Sequence, residues 1–313
     1  MIFDFHNSKL DLVKHRKIYF IISSAITAIG IILLLTLGLN LGIDFESGSR
    51  VDISSSTTLT TDQITEDLAQ IGKGYVPDDV TLAGETSEMA SARFIGVLTP
   101  KEVAEIQSYF FDKYGTEPSI STVSPTVGQE LARNALIALL LAAVGIIIYV
   151  TIRFEFLFGA AAIVSLLYDA FFIIIVFSLF QIEVNVPFIA AVLTIVGYSI
   201  NDTIVTFDRI RENLKLSKRV KSFDELAHIV NKSLLQTLSR SINTVITVIF
   251  AAAALFIFGG EAIRSFSFAL LIGLIAGAYS SIFLAAQLWL SWKGKQLEKN
   301  KFQSKKRPEG EPV

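Results

Sequence analysis

Two carboxylates stand where carboxylates are costly. Asp202 lies in the stretch 196–213, flanked by Ile200, Ile204, Val205 and Phe207, and Asp169 sits near the middle of the apolar run 156–180. An acid in hydrocarbon costs several kcal/mol unless it is partnered, so such acids face a bundle interior or a water path. At about 1.5 Å per residue, Asp202 is roughly 8 Å from the inner end of its run. Residues three and four apart stack on a helix, which puts Thr194, Tyr198, Asn201 and Asp202 on one side. The spacing predicts a polar stripe turned toward the bundle interior. Two chemistries use paired intramembrane acids. One is a proton relay, in which neutralising the acid lets a charge cross. The other is an aspartyl protease, in which two carboxylates share a proton and activate water. Tyr168-Asp169 matches the first protease motif, but Ser199-Ile200-Asn201 before Asp202 lacks both glycines of the second, so the protease pattern is weak. Arg240, in Gln236-Thr237-Leu238-Ser239-Arg240-Ser241, reads from spacing alone as a basic flank of the next run. Ser199, Ser241, Thr244 and Thr247 are hydroxyls able to bond between helices.

The elements that must position these groups follow from composition. Hydrophobic residues make up 52% of the 313, and charged residues only 18%, a balance that points to a multi-span membrane protein. There is no cysteine, which excludes disulfides, thiolate chemistry and cysteine-ligated metals, and the three histidines are scattered without ligand spacing. Apolar runs long enough to cross a bilayer occur at 18–39, 131–152, 156–180, 186–207, 242–258 and 265–292. In lipid these are helices, because helices satisfy their own backbone groups. The first run is too long for a signal-peptide core and reads as a retained span. Basic residues cluster before the first span, between Arg209 and Arg240, and after Lys293, whereas the short loops 181–185 and 259–264 hold one base between them. That asymmetry places both termini, 1–17 and the tail 293–313, in the cytoplasm together with loop 208–241. The tail mixes charge, proline and glycine and is expected to be disordered.

Residues 40–130 then form an extracytoplasmic domain with fifteen acids against five bases. Solubility of an outer-face domain explains that balance. Strand patterns at 50–54, 76–82, 92–98 and 119–123 alternate with helical spacing at 61–71 and after Thr99. Thr99-Pro100-Lys101-Glu102 is a capping box with proline in the first turn, and Gly115 should end that helix. The order βαββαβ predicts a small α+β ferredoxin-like domain between spans 1 and 2 of a six-helix, α-helical polytopic membrane protein.

At this point motifs carry a resemblance. Gly197-Tyr198-Ser199-x-Asn201-Asp202-Thr203 followed by Asp208-Arg209-Ile210-Arg211-Glu212-Asn213 resembles the hallmark of the SecF branch of the SecD/SecF family, within the resistance-nodulation-division superfamily. Leu39-Asn40-Leu41-Gly42-Ile43-Asp44-Phe45 resembles the family's junction after the first span, and Pro125-Thr126-Val127-Gly128-Gln129-Glu130-Leu131 its entry into the second. Ser233 to Arg240 matches the approach to the fifth. The likeness covers about residues 3–292. There are two departures. Ser47-Gly48 keeps one of two junction glycines, and Tyr168 replaces a frequent histidine, which removes a shuttle role there because tyrosine titrates near pH 10.

The resemblance implies a non-enzymatic, proton-driven subunit of bacterial protein export in the cytoplasmic membrane. It needs no cofactor beyond its coupling ion, H+ or alternatively Na+. The implied partners are a separate SecD chain, the SecYEG channel, the ATPase SecA, accessory YajC, the unfolded preprotein and the lipid bilayer, without nucleic acid. In the family an acid matching Asp202 and an arginine matching Arg240 line the proton path, and Asp169 is retained beside them. If Asp202 and Arg240 meet, the arginine can hold the acid ionised. Movement would reach the outer domain through its covalent links, with Gly42, Asp44, Gly48, Pro125 and Gly128 as hinge candidates. A proton-coupled small-molecule exporter would use similar acids but carry much larger outer domains, and a passive scaffold would need no titratable group.

Overall fold

The computed structural model describes residues 10–72, 75–83, 87–217, 220 and 222–306. Helix α1 (Arg16–Thr36) leads through a linker and the short α2 (Ile43–Glu46) into β1 (Gly48–Ser54), α3 (Thr61–Ile71), β2 (Asp79–Ala83), β3 (Met89–Ile95), α4 (Pro100–Tyr114) and β4 (Ser119–Val123). Next come α5 (Pro125–Arg153), α6 (Phe156–Phe180), α7 (Val186–Leu216), α8 (Phe223–Phe258) and α9 (Glu261–Tyr279), a π-helical turn (Ser280–Ala285) and α10 (Ala286–Lys306). Among the described residues, six helical stretches are long and apolar enough to cross a membrane, the last running from Ile263 to Lys299 through the π turn.

The four strands form one sheet in the order β2-β3-β1-β4, with every neighbouring pair antiparallel. One face buries Val51, Ile53, Ala90, Ala92 and Phe94 against Ile64, Leu68, Ile106 and Phe110 of the two helices. Asp67, buried on α3, gathers Lys113 and the Tyr114 hydroxyl of α4, tying the helices together. The capping box at Thr99 forms as read, and Gly115 ends α4 in the left-handed conformation that its missing Cβ tolerates. Helices α3 and α4 and strand β4 keep their expected positions. Strands β2 and β3 lie a few residues away from the alternating stretches 76–82 and 92–98.

Several boundaries differ because packing extends what hydropathy delimits. Helix α5 starts at Pro125 rather than 131, with proline in its first turn. Loop 208–241 is instead mostly the inner ends of α7 and α8. Their facing residues Ile210, Leu226, Val230 and Leu234 share a core with Phe158 and Trp289. The tail is helical through Lys306, not disordered from 293: Trp292 and Leu297 continue the apolar stripe, Gly294 packs on Phe223, and Lys293 pairs with Glu155 at 3.1 Å. Residues 307–313 and 1–9 lie outside the described residues. At the centre, α9 packs on both α7 and α8, while α1 and α5 are peripheral and expose Ile21, Ile32, Leu35, Leu141 and Ile152.

The Thr99 backbone N–H and hydroxyl both donate to the Glu102 carboxylate, at 2.7 and 2.8 Å, and hold its pKa below the ordinary range. An acid whose pKa falls on folding contributes stability above its unfolded value of about 4.3 and loses it as the pH drops through the folded value. The protection factors of the α4 amides in the intact chain, exchange rates being divided by their intrinsic pH-dependent values, are therefore expected to fall on acidification below about pH 4.3. Glu102→Gln should flatten that limb, and an unchanged pH profile in the variant would count against the cap.

Candidate functional site

The buried polar groups gather where α6, α7, α8 and the π turn meet. Asp169 is fully buried on α6, and its Oδ2 accepts from Ser199 Oγ of α7 at 2.5 Å and from Ser280 Oγ at 2.9 Å. Asp202 Oδ1 accepts from Ser241 Oγ of α8 at 2.6 Å. Thr203 and Ser281, both buried, share a 2.9 Å hydroxyl contact. Consecutive residues on an α-helix point 100° apart, so Ser280 and Ser281 would not both serve an interior site well. The π turn widens the helix locally, a feature often found at functional sites, and both serines are buried. Glycines on α9 bring α7 close enough. A Cβ at Gly273 would fall within 3 Å of three Ile195 carbons, and one at Gly277 would lie 3.2 Å from Ser199 Cβ.

The stripe expected to face inward does not. Thr194, Gly197 and Asn201 are exposed on the outside of this chain, and Tyr198 and Asp202 lie between the two environments. The face that packs inward carries Ala191, Val192, Ile195, Ser199, Thr203 and Thr206. Helix α7 meets α6, α8 and α9 with small and hydroxyl-bearing residues whose hydroxyls can bond across the interface, and this leaves the stripe 194, 197 and 201 on the open side. Arg240, Thr244 and Thr247 of the adjoining α8 are exposed as well. Among the described residues Arg240 makes no ion pair within 4.0 Å, so Ser241, its neighbour, is what contacts Asp202.

The charged half of the hallmark builds a clamp where the ends of α5, α7 and α8 meet. Asp208 accepts from Arg153 at 2.8 Å and from Arg211 at 2.9 Å, and both guanidinium groups lie over the Phe154 ring. Arg209 binds Gln236 of α8 at 2.7 Å and Glu212 at 2.7 Å. Asn213 donates to Ser233 and Gln236, each at 2.8 Å. These residues join the ends of α5, α7 and α8.

The hinge candidates are tightly held. Gly42 is extended, its N–H donates to Val184 O at 2.8 Å, and a Cβ there would overlap the Glu183 carboxyl group. Asp44 Oδ2 accepts from Val186 N at 2.9 Å. Gly48 is paired in the sheet against Phe94 O, Pro125 opens α5, and Gly128 is buried with room for only ordinary contact with Asp44 O and Ser47. Close approach, and not a left-handed backbone, accounts for glycine at 42 and 48, whereas a Cβ at 128 would meet only ordinary contacts. Sequence reading singled out neither Glu183 nor Ser280 and Ser281. The available signals were an acid in the five-residue loop 181–185 and a serine pair within a final apolar run longer than a bilayer requires.

The family described as "Protein export membrane protein SecD/SecF, C-terminal" matches residues 105–295, and the "SecD/SecF GG Motif" matches residues 32–58. The chain is 56% identical over 295 residues to the protein translocase subunit SecDF of Bacillus subtilis (strain 168), an alignment that covers 94% of this chain and 40% of that one. It is 43% identical over 294 residues to the protein translocase subunit SecF of Alicyclobacillus acidocaldarius, covering 93% and 95%. The crystal structure of SecDF from Thermus thermophilus, described as a translocon-associated membrane protein, superposes with a TM-score of 0.82 at 30% identity, over 92% of this chain and 39% of that one. The chain thus spans about two fifths of these SecDF proteins and nearly all of the SecF relative.

Two substitutions separate packing from hydrogen bonding. Gly273→Val forces a branched side chain into Ile195 and should destabilise the bundle by about 1–3 kcal/mol. Ser199→Ala, which leaves the Ser280 donor in place, should cost only about 0.6 kcal/mol. Thermal unfolding of the detergent-solubilised chain reads both, and a reversed order of effects would contradict the interface as drawn.

Proposed function

The chain belongs to the SecD/SecF family of protein-export membrane proteins, and we propose that it works as the SecF-type subunit of a protein translocase that draws on the proton gradient. It is a multi-pass membrane protein. In this reading both termini lie in the cytoplasm, in keeping with the basic residues on that side. The four-stranded unit is a ferredoxin-like outer domain, a SecD chain is the direct partner, and SecYEG, SecA and YajC are further members of the assembly. The subunit is non-enzymatic, needs no cofactor, and moves H+, with Na+ as the alternative ion.

The observation that carries this reading is the placement of Asp202. It bonds to Ser241 inside the bundle and borders the exposed stripe Thr194, Gly197 and Asn201. Polar residues on spanning helices pack against protein or a water-filled cavity rather than lipid. A second membrane protein seated on α7 and α8 would cover that stripe together with Arg240 and Thr244, and would close a path around Asp202. The ionised carboxylate only accepts hydrogen bonds, whereas the protonated acid also donates. Each proton that arrives therefore changes which hydroxyl arrangement is favoured. Two packings a few kcal/mol apart suffice for that change to move helices. The membrane potential supplies about 2.3 kcal/mol per charge per 100 mV. Arg240 would act through the field it sets at this mouth.

Asp202→Asn keeps size and hydrogen-bonding capacity while removing titration. Vesicles carrying the full translocase should export a preprotein at wild-type rate without a gradient, and the variant should lose the added rate that a gradient gives. Comparing both proteins with and without a protonophore measures this. A variant that kept the gradient-dependent increment would remove proton coupling at this site while leaving family membership intact.

A further inference from the structure

The outer domain is covalently joined to α1 and α5, the peripheral helices, whereas the acids sit on α6 and α7. The backbone leads from the sheet to the acid-bearing pair only by way of the whole of α5. A direct contact is made by the loop 181–185, which links α6 to α7. Val184 N donates to Asn40 O and Gly42 N to Val184 O, each at 2.8 Å, so the loop forms a parallel bridge with the linker that enters the outer domain. Asn40 Nδ2 donates to Gln181 O at 2.9 Å, Ser178 Oγ to Gly38 O at 2.6 Å, and Val186 N to Asp44 Oδ2 at 2.9 Å. On the other side of the linker, Arg93 of β3 donates to Leu41 O and Asn40 Oδ1, each at 2.8 Å.

Glu183 completes this junction. Its Oε1 lies 3.7 Å from Arg50 Nη1 of β1, on the sheet face that α3 and α4 leave open, and occupies the space a Cβ on residue 42 would need. The Arg50 side chain is only 16% exposed, so this contact is screened less than a surface pair. Arg50 also pairs with Asp52 at 3.3 Å. The groups whose charges act on Glu183 are Arg50 and Asp52 of β1, Arg93 of β3 and Asp44 of α2. Burial pushes the Glu183 carboxyl above its ordinary pKa range, the two arginines oppose that, and the two aspartates add to it. Beside the junction a cavity of about 490 Å³, lined in part by Asp79, Arg93, Glu183 and Phe268, leaves the loop room to change position.

We propose that Glu183 is the transmission contact of this subunit, a positioning residue that holds loop 181–185 against Arg50 and Gly42 so that movement of α6 and α7 reaches the sheet of the outer domain. It rests on the export reading for its purpose, but the mechanical link can be judged without export. In the intact chain reconstituted with its membrane partners, hydrogen-exchange mass spectrometry of β1 and β3 compares Asp202 with Asp202→Asn. The Asp202→Asn change is expected to alter exchange at these strands. In a Glu183→Arg or Arg50→Glu background that response should fall at least fivefold, and the double swap Glu183→Arg/Arg50→Glu should restore at least half of it. Gly42→Ala, which displaces the carboxyl group without changing charge, should weaken the response in the same direction. Undiminished responses in the single variants would overturn the proposal. So would a double swap that fails to restore the response while Val51, Ile53 and Phe94 keep native protection, or a wild-type sheet indifferent to Asp202→Asn. If a gradient proves to have no effect on export, the functional reading falls, and the exchange measurement still decides the contact.

Discussion

A carboxyl group or a peptide N–H left unpartnered in hydrocarbon costs several kcal/mol, and the interior of this chain is arranged around that cost. Six helices satisfy their own backbones, so the remaining problem is side-chain polarity. Asp169 meets it in part with two serines from two different elements on Oδ2, and Asp202 with one from α8 on Oδ1, the other oxygen of each being buried without a hydrogen bond. The Ser241 contact comes from the regular helix α8, whereas the Ser280 contact depends on the π turn. Widening the helix there lets Ser280 serve Asp169 while Ser281 serves Thr203. Glycines at 273 and 277 then let α9 approach α7 until those hydroxyls are within reach. The polar contacts and the close packing are therefore one feature, since loosening the helices would also unpair the acids.

The same cost explains why the chain looks unfinished on one side. Interior contacts take up the side of α7 with small and hydroxyl-bearing residues, and the stripe 194, 197 and 201 is left facing outward beside the hydroxyls of α8. A surface with exposed asparagine, threonine and arginine on spanning helices would be a poor lipid boundary, and it becomes sensible once another bundle is seated there. Asp202 lies on the seam between the inner and outer environments. Its protonation can thus be felt both by Ser241 within the chain and by whatever covers the stripe.

Periodicity and capping made much of the fold legible. The box at Thr99 and Glu102, the stop at Gly115 and the α6 boundaries are local chemistry, and each stands where the residues place it. Elements whose ends depend on tertiary contacts were less legible. The inner halves of α7 and α8 read as a charged loop because hydropathy averages over residues, while Ile210, Val230 and Leu234 occupy only the buried side. The tail from 293 read as disordered because it mixes charge, proline and glycine, yet Leu297 is spaced to continue the apolar stripe of Trp289 and Trp292. For the site, the identity of Asp169 and Asp202 was plain from their cost. The direction of the stripe was not, because a helical wheel gives relative angles and says nothing about which side the neighbours take. The hydrogen bond to Asp202 comes from Ser241 and not from Arg240, because adjacent residues on α8 point different ways.

The glycines of the linker change how force can travel. As hinges, Gly42 and Gly128 would absorb motion in flexible backbone, and the outer domain would follow its covalent links loosely. Gly42 is also a place where another chain segment comes close, its Cβ position lying against the Glu183 carboxyl group, and Gly128 is in ordinary contact with Asp44 and Ser47. Backbone bridging at Leu41 and Val184, with Arg93 gripping the far side, makes the linker part of a packed junction. Packed junctions shift between discrete arrangements rather than bend continuously. Under the proposed transmission contact, a small displacement of α7 would reach β1 and β3 through this junction rather than through loose covalent links.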